Sequence, residues 1–570
     1  MLARLWPAIL CALALPLCGL LIRPYVETGV IDDGSYIRTA QVLARTGHIV
    51  YNGGATAMLG WQLYLGAAFI KLFGFSFTAA RSAVLLVAMA TAFLLQRTFV
   101  RAGIGEWNAT IGTLTFVLSP LFLPLSFTFM TDVPGLFCTV LCLYACLRAL
   151  QAQTTGSAFA WICFAIASNA VGGTVRQTAW LGTLVIVPCT LWLLRRRPRL
   201  LQAGLLVWIA GVAAIFAFLH WFYLQPYALR ENVTLIGHTQ IRGLFRNVTR
   251  SALDLPAYLL LPILLMFVPA FPWRDRRAVR FASWMALCCL LVALSQMARG
   301  TLYGWLQPIG DWFTIHGAVD GLPIHGSRPV ILTYHLLLLI AGATLAAVIC
   351  LVVLVLTRPA SLPLPPTQLE APPWHQLAVL LIPVTLCYAL ALLARAIYLT
   401  IFDRYLLVPV FIALLFLLRF YQDRVQPRHP AASLLVLALF AAYGVATTHD
   451  AFSMYRARLA AVDELRSAGI EATAIDAGLD TNIVTQIDQA GSENDPRIKE
   501  PSNIFIPQPA VPLFDPCRPG MAELVPAIKP RYELSFDPAL CAGPSRFAPV
   551  TYHEWLGPHS VTIYIVNLVR

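Results

Sequence analysis

The sequence predicts an all-α polytopic membrane protein of about thirteen transmembrane helices, with juxtamembrane helices and a small C-terminal α/β domain outside the bilayer. Three observations predict it. Of 570 residues, 58% are hydrophobic, and the mean hydropathy is +0.71; soluble domains are roughly 45–50% apolar. Apolar stretches of about 17–25 residues, each able to cross a ~30 Å hydrocarbon core, recur along the chain. Charged residues make up only 12%, and the basic ones gather in short loops: Arg195, Arg196, Arg197 and Arg199; Arg274, Arg276, Arg277 and Arg280; Arg419, Arg424 and Arg428.

In chain order the expected spans centre near residues 13, 88, 115, 141, 165, 186, 213, 264, 290, 344, 387, 412 and 439. The first lacks a small-x-small cleavage site and precedes a full set of later spans, so it reads as a retained helix and not a signal peptide. Residues 48–75 are apolar but interrupted by Gly53, Gly54, Gly60 and Gly74, and read as interfacial helices. A Pro-rich polar stretch at about 358–374 reads as a cytoplasmic linker. Hydropathy falls beyond Thr448, dividing a membrane region, 1–448, from a C-terminal domain, 449–570. Within the latter, 462–470 reads as a helix capped by Gly469 and leading into a strand, and 561–566 as a closing strand.

The formal charge of +12 invites a nucleic-acid reading, but loop-clustered Arg is the positive-inside pattern of a membrane protein. With the basic loops cytoplasmic, alternation puts the N-terminus inside and the C-terminal domain outside. It also sorts the other polar residues. Asp32, Asp33, Asp132, Arg176, the 225–255 and 299–330 loops and Asp403-Arg404-Tyr405 fall on the outer face; the Arg clusters near 101, 197, 277 and 424 fall on the inner one. Eleven of the thirteen cysteines lie in apolar segments, where a free thiol packs as a small hydrophobe. Cys517 and Cys541 lie in the polar region on the oxidising side, where a disulfide is one option.

Four groups of residues carry candidate chemistry. In Asp32-Asp33-Gly34-Ser35-Tyr36, two neighbouring carboxylates enter one pocket only if the backbone bends, which Gly34 permits; the alternative is an exposed helix cap. Asp132, followed by Pro134 and Gly135, opens a span from the same face, and either caps it or joins Asp32 in holding a divalent cation or a hydroxyl. Arg176 is either an interfacial snorkeller or a bidentate phosphate ligand. Arg242, Arg246 and Arg250 share a helix face on the outer side, either a solvated basic face or a site for an anionic lipid headgroup. His316 and His325 fit no zinc spacing. Asn108, Asn232 and Asn247 stand in Asn-x-Thr sequons. A phosphate-binding Gly-rich loop and a Gly-x-Ser-x-Gly elbow are both missing, which disfavours a nucleotide as direct substrate.

In this order the motifs resemble the GT-C membrane glycosyltransferases, in the branch of the protein O-mannosyltransferases and the lipid A aminoarabinose transferases. The resemblance rests on Asp32-Asp33-Gly34-Ser35-Tyr36 after the first span, on 72–81 ending Ala79-Ala80-Arg81, on Ser119-Pro120 followed by Thr131-Asp132, and on 402–409 with its Arg404-Tyr405-Leu406-Leu407-x-Pro409. The chain departs from the pattern at Asp33, where Glu is commoner, and at 52–61, which lacks a Pro-Pro-Leu.

The resemblance implies an inverting glycosyltransferase that moves a sugar from a polyprenyl-phosphate donor to a hydroxyl of a glycan, lipid or protein, at the outer face of a bacterial inner membrane. It assigns Asp32 as the base, with Asp33 and Asp132 as further catalytic groups or, if a divalent cation is used, its ligands. Tyr36, Arg176, Arg242, Arg246 and Arg404 would bind substrate. A phosphate leaving group needs no acid catalyst, and inversion places the base opposite it, as in inverting hydrolysis. The rival class is a transporter or lipid flippase with the acids as an ion relay; its ionisable residues belong near mid-membrane on broken helices, whereas these fall at span ends.

Overall fold

The computed structural model describes residues 5–54, 57–228, 255–308, 310–319, 324–357, 371–396, 401–425, 431–493, 524–538 and 545–568. Arg242, Arg246, Arg250, His238, the 358–370 part of the linker, Cys517 and Cys541 lie outside the described residues.

The chain is an all-helical bundle that ends in a small sheet. Among the described residues nine helices are long and apolar enough to cross a membrane, and shorter apolar helices accompany them at Trp6–Ile22, Gln177–Leu193 and Leu261–Ala270. Every expected span centre falls on a helix. Those near 115, 186 and 264 are broken: Glu106–Val117 stops before Ser119-Pro120, 177–193 mixes 3-10, π and α turns, and 261–270 carries Pro262 and Pro269. Proline removes a backbone donor and crowds the preceding turn, so the ladder ends there.

Four N-terminal helices frame one end of the bundle: α1 (Trp6–Ile22), α2 (Asp33–Thr46), α3 (Gly60–Phe73) and α4 (Phe77–Arg101). The glycine-broken 48–75 region yields α3, whose 14 residues rise only about 21 Å, too short to cross. Helix α4 packs on α1 and on Asp132–Leu150, which also packs on Thr155–Gly172. At the far end of these helices the basic loops meet. Arg419 donates to Ala102 O at 2.6 Å, Gln422 to Gly103 O at 2.8 Å and Gln151 to Arg101 O at 2.9 Å.

The last long helix, Ala431–Ser467, has 37 residues, about 55 Å of rise against a ~30 Å core. It therefore runs out of the apolar zone, and position 448 lies inside it. Just beyond that position the buried Asp450 accepts from Trp555 N at 2.7 Å and Leu556 N at 3.1 Å, while His449 stacks on Trp555 with centroids 3.9 Å apart. Gly469 turns the chain at φ +82° into the four-stranded sheet: β3 (Ile475–Asp476), β4 (Tyr532–Ser535), β5 (Val550–Tyr552) and β6 (Val561–Asn567), in the order β3-β4-β6-β5. A small hairpin, β1 (Phe313–Thr314) and β2 (Gly317–Ala318), precedes them. Strand β6, expected to close the domain, lies inside the sheet, paired antiparallel to both β4 and β5, and its alternating burial suits an inner strand with one face on the core.

Helix Leu479–Ala490 docks this region onto the start of α2. The buried Arg458 pairs with Asp480, Arg38 meets Asp488 at 2.6 Å, and Thr28 Oγ1 donates to Thr481 Oγ1 at 3.3 Å. Gly34 serves this docking and not the bend expected of it. It is helical, and a Cβ there would sit 2.7 Å from Val484 Cγ2 and 3.0 Å from Gly29 Cα. Gly34→Val is expected to push the two elements apart and destabilise the fold by about 1–3 kcal/mol, read as a lower unfolding temperature and earlier proteolysis of the C-terminal region.

Candidate active site

The bend that separates the two acids lies at Ile31, whose φ is +55°, a strained value for a β-branched residue. Asp33 then turns inward. It is fully buried, its two oxygens facing Arg81 Nε at 2.8 Å and Nη2 at 3.0 Å, with Val30 N (2.7 Å) and Phe129 N (3.1 Å) as further donors. Arg81 is as fully used: it donates to Val26 O at 2.6 Å and Thr28 O at 2.5 Å. The pair ties the loop after α1 to α4 and to the residues that lead into Asp132. Asp33 is thereby a framework residue. Its expected roles in catalysis and as a cation ligand do not fit the geometry, because both oxygens are taken. Among the described residues no group of three or more His, Cys, Asp or Glu is placed to hold a metal.

Asp32 faces the other way. As the residue before α2 it makes no capping hydrogen bond; its Oδ2 meets Arg404 Nη2 at 3.3 Å, and 38% of the side chain stays open. The buried Tyr36 and Arg404 stand beside it. Burial is accordingly the largest influence on Asp32 and raises its pKa; Arg404 opposes this, and Asp311, Asp132 and Asp33 add to it. Tyr36, one turn along α2, is buried, and burial followed by Asp32 pushes its phenol well above the usual range.

Asp132 opens its helix without capping it. Its Oδ1 takes Arg176 Nη1, and its buried Oδ2 has no hydrogen-bond partner but lies 3.9 Å from Arg404 Nε. Arg176 also donates to Thr131 Oγ1 at 3.3 Å and stands 4.5 Å over the Tyr405 ring. Gly135 leaves room for it, since a Cβ there would press on Arg176 Cβ at 3.3 Å. The snorkelling alternative for Arg176 is not what the structure shows: the guanidinium points to a carboxylate and an aromatic face.

Arg404 is the hub, in contact with Asp32, Asp132 and Asp311 and stacked 4.5 Å over Phe402. Asp403 fixes the loop that supplies Asp311, accepting from Trp312 N at 2.9 Å and Phe313 N at 2.7 Å. Thus Asp32, Tyr36, Asp132, Arg176 and Arg404, drawn from four separate parts of the chain, converge at one end of the bundle. Sequence reasoning missed Asp311, Glu493 and the structural part of Arg81. Asp311 had a faint signal, an acid in a loop assigned to the same face as Asp32. His316 and His325 bond to Pro329 O and Glu533, and so belong to the loop's own framework.

With the geometry in place, the comparisons with known proteins bear on it. Residues 61–223 match the family model described as dolichyl-phosphate-mannose-protein mannosyltransferase. That match covers under a third of the chain. It holds Arg81, Asp132 and Arg176, three of the residues that build the site. No curated protein sequence matches. Among solved structures, the protein O-mannosyltransferase Pmt1-Pmt2 complex of S. cerevisiae bound to its sugar donor is 15% identical, over 38% of this chain and 33% of the yeast chain, with a TM-score of 0.32. ArnT from Cupriavidus metallidurans is 14% identical in the apo state, over 83% of this chain and 82% of that one, with a TM-score of 0.37. Bound to undecaprenyl phosphate it is 17% identical, over 82% and 81%, with a TM-score of 0.36. The chain thus spans about a third of the yeast transferase.

The burial of the Asp33–Arg81 pair sets a stability test. Arg81→Leu leaves a buried carboxylate without its cation and is expected to cost about 3–5 kcal/mol. Combining it with Asp33→Asn removes the charge and should recover part of the loss, both read from thermal unfolding in detergent.

Proposed function

We propose that the protein is an inverting glycosyltransferase that moves a sugar from a polyprenyl-phosphate-linked donor to an acceptor hydroxyl at the outer face of a bacterial inner membrane. The N-terminus would then be cytoplasmic and the 449–570 region extracytoplasmic. The match of residues 61–223 to the dolichyl-phosphate-mannose-protein mannosyltransferase family model supports the reaction class. The observation that carries the site assignment is the placement of Asp32 and Asp132 on either side of Arg404, with Arg176 on the far side of Asp132.

Asp32 acts as the general base. Its partial opening admits a hydroxyl, and its raised pKa brings it nearer the operating pH, where a base works best. Arg404 and Arg176 face the departing phosphate. Both are oriented beforehand by carboxylates and aromatic faces, so little reorganisation accompanies the charge that develops on the leaving oxygen. Asp132 and Asp311 hold the two arginines in place. The acceptor proton passes to Asp32 as the acceptor oxygen bonds to the anomeric carbon, and the bonding pair of the broken C–O bond leaves with the phosphate. Tyr36 closes the wall behind Asp32. The acceptor is a glycan, a lipid or a protein.

Asp32→Asn is expected to leave the chain folded, because an amide oxygen can still accept from Arg404 Nη2, and to lower transfer by about 10²–10⁴-fold. The readout is the lipid-linked sugar pool and surface glycans of a deletion strain carrying the variant; near-normal transfer would sink the assignment. Arg404→Lys keeps the charge but loses the fork that meets three carboxylates, and should lower transfer without matching the loss at Asp32. A topology reporter placed after Ser35 should read as extracytoplasmic.

A further inference from the structure

A carboxylic acid that the mechanism above does not use reaches the site from the C-terminal region. Glu493 follows helix Leu479–Ala490 and is 8% exposed. Its backbone N–H donates to Asn52 O at 2.7 Å. Asn52 in turn clamps the acidic motif: its Nδ2 donates to Ser35 O at 2.9 Å and its Oδ1 accepts from Ser35 Oγ at 2.7 Å. Gly54 makes the room, for any Cβ there would collide with Glu493 Oε2 and Ser35 Oγ. Glu493 Oε2 has no hydrogen-bond partner. An orphan carboxyl oxygen is costly to bury unless a ligand completes it.

The charges nearby decide its protonation state. Among the described residues Asp32, Asp132 and Asp311 pair with Arg176 and Arg404, a surplus of one negative charge there before any phosphate arrives. On α2, Ser35 Oγ stands beside Glu493 Oε2 at Gly54, and Asp32 and Tyr36 are close enough to feel its charge. The other charges of α2 are Asp33, bound to Arg81, Arg38, bound to Asp488, and the exposed Arg45; helix 479–490 adds Asp480, bound to Arg458. Segment 47–59 adds the exposed His48. None supplies a free cation to a Glu493 carboxylate, and burial followed by Asp32 pushes its pKa up to about 8, against the opposing pull of the Ser35 hydroxyl.

We propose that Glu493 is a positioning residue that holds the acceptor hydroxyl toward Asp32, working as a neutral carboxylic acid. The inference rests on Asp32 being the base. Asp32 is the member shared between two sets: Arg404, Asp132 and Asp311 in one, and Ser35, Tyr36 and Glu493 in the other. In single displacement the acceptor approaches opposite the leaving phosphate, so the set without arginines is the acceptor side. Glu493 keeps its proton throughout. Above its pKa it would place a second negative charge beside Asp32, in a site that must admit a phosphate.

The test follows sugar transfer from about pH 6 to 10, in membranes of a deletion strain that hold the cell's own lipid-linked sugars and acceptors, reconstituted with the full chain. Wild type should lose about tenfold per pH unit above pH 8. Glu493→Gln stays neutral and can still donate, so it should keep transfer at pH 7 within about three- to tenfold and lose the alkaline fall. Glu493→Ala should raise the acceptor KM by about tenfold and leave the donor KM unmoved. Infrared difference spectra of wild type against Glu493→Gln should show a protonated carboxyl at pH 7. An unchanged alkaline fall in Glu493→Gln, or an ionised Glu493 at pH 7, overturns the proposal while Asp32→Asn is still inactive. No transfer by wild type, or full transfer by Asp32→Asn, overturns the reading of Asp32 and takes the role of Glu493 with it.

Discussion

The ion pair between Asp33 and Arg81 is the constraint on which the rest of the site depends. A carboxylate with no exposed surface is tolerable only when its charge is matched and its lone pairs are filled, and here a guanidinium and two backbone N–H groups do both. The geometry leaves no freedom to its neighbour. With Asp33 drawn toward α4 and with Ile31 held at positive φ, Asp32 must face the other way. Adjacent acids are thereby given opposite environments, one closed and one open. The strain at Ile31 is sustained by the bonds that span it, since Val30 N donates to Asp33 Oδ1 and Asp33 N to Val30 O.

Arg404 organises the open half. Its three carboxylate contacts reach from the loop before α2, from the start of helix Asp132–Leu150 and from the loop around Asp311. A guanidinium has donors enough for three directions where an ammonium is a point charge. Asp403, the residue before it, does the complementary work on the backbone, holding Trp312 and Phe313 by their N–H groups. One dipeptide thus fixes both the cation and the loop that brings its third acid. The arrangement leaves an oxygen of Asp132 and one of Asp311 buried without hydrogen-bond partners, an unsatisfied acceptor capacity.

Much of this was legible in the sequence, and the reason is that membranes impose coarse rules. Apolar stretch length put every expected span centre on a helix, and Asp32, Asp132, Arg176 and Arg404, which the Arg loops sort to one face, do meet. The division of labour between Asp32 and Asp33 was not legible in the same way. Gly34 drew attention as the flexible point, yet the turn lies at Ile31, where propensity argues against it, and Gly34 is needed for the close approach of Val484. That approach depends on a helix about 450 residues away, and no local pattern encodes it. Asp311 and Glu493 were missed for the same cause: each reaches the site through tertiary contacts of a loop that carries no periodic signal.

The C-terminal region is therefore more than an appendage of the bundle. Its connection is a continuous helix, Ala431–Ser467, so no hinge separates the apolar zone from the sheet. Asp450, Arg458 and Asp480 bind that helix to the sheet and to helix 479–490 through buried groups. Helix 479–490 then packs on Gly29 and Gly34, against the segment that carries Asp32. The buried, charge-assisted bonds in this chain of contacts are worth more than exposed ones. Displacing the sheet would strip Val484 and Glu493 from α2 and open the back of the site to solvent. Weaker desolvation would let the Asp32 pKa fall toward the ordinary carboxylate range. The proton affinity of Asp32 is thus set partly by residues that follow helix Ala431–Ser467.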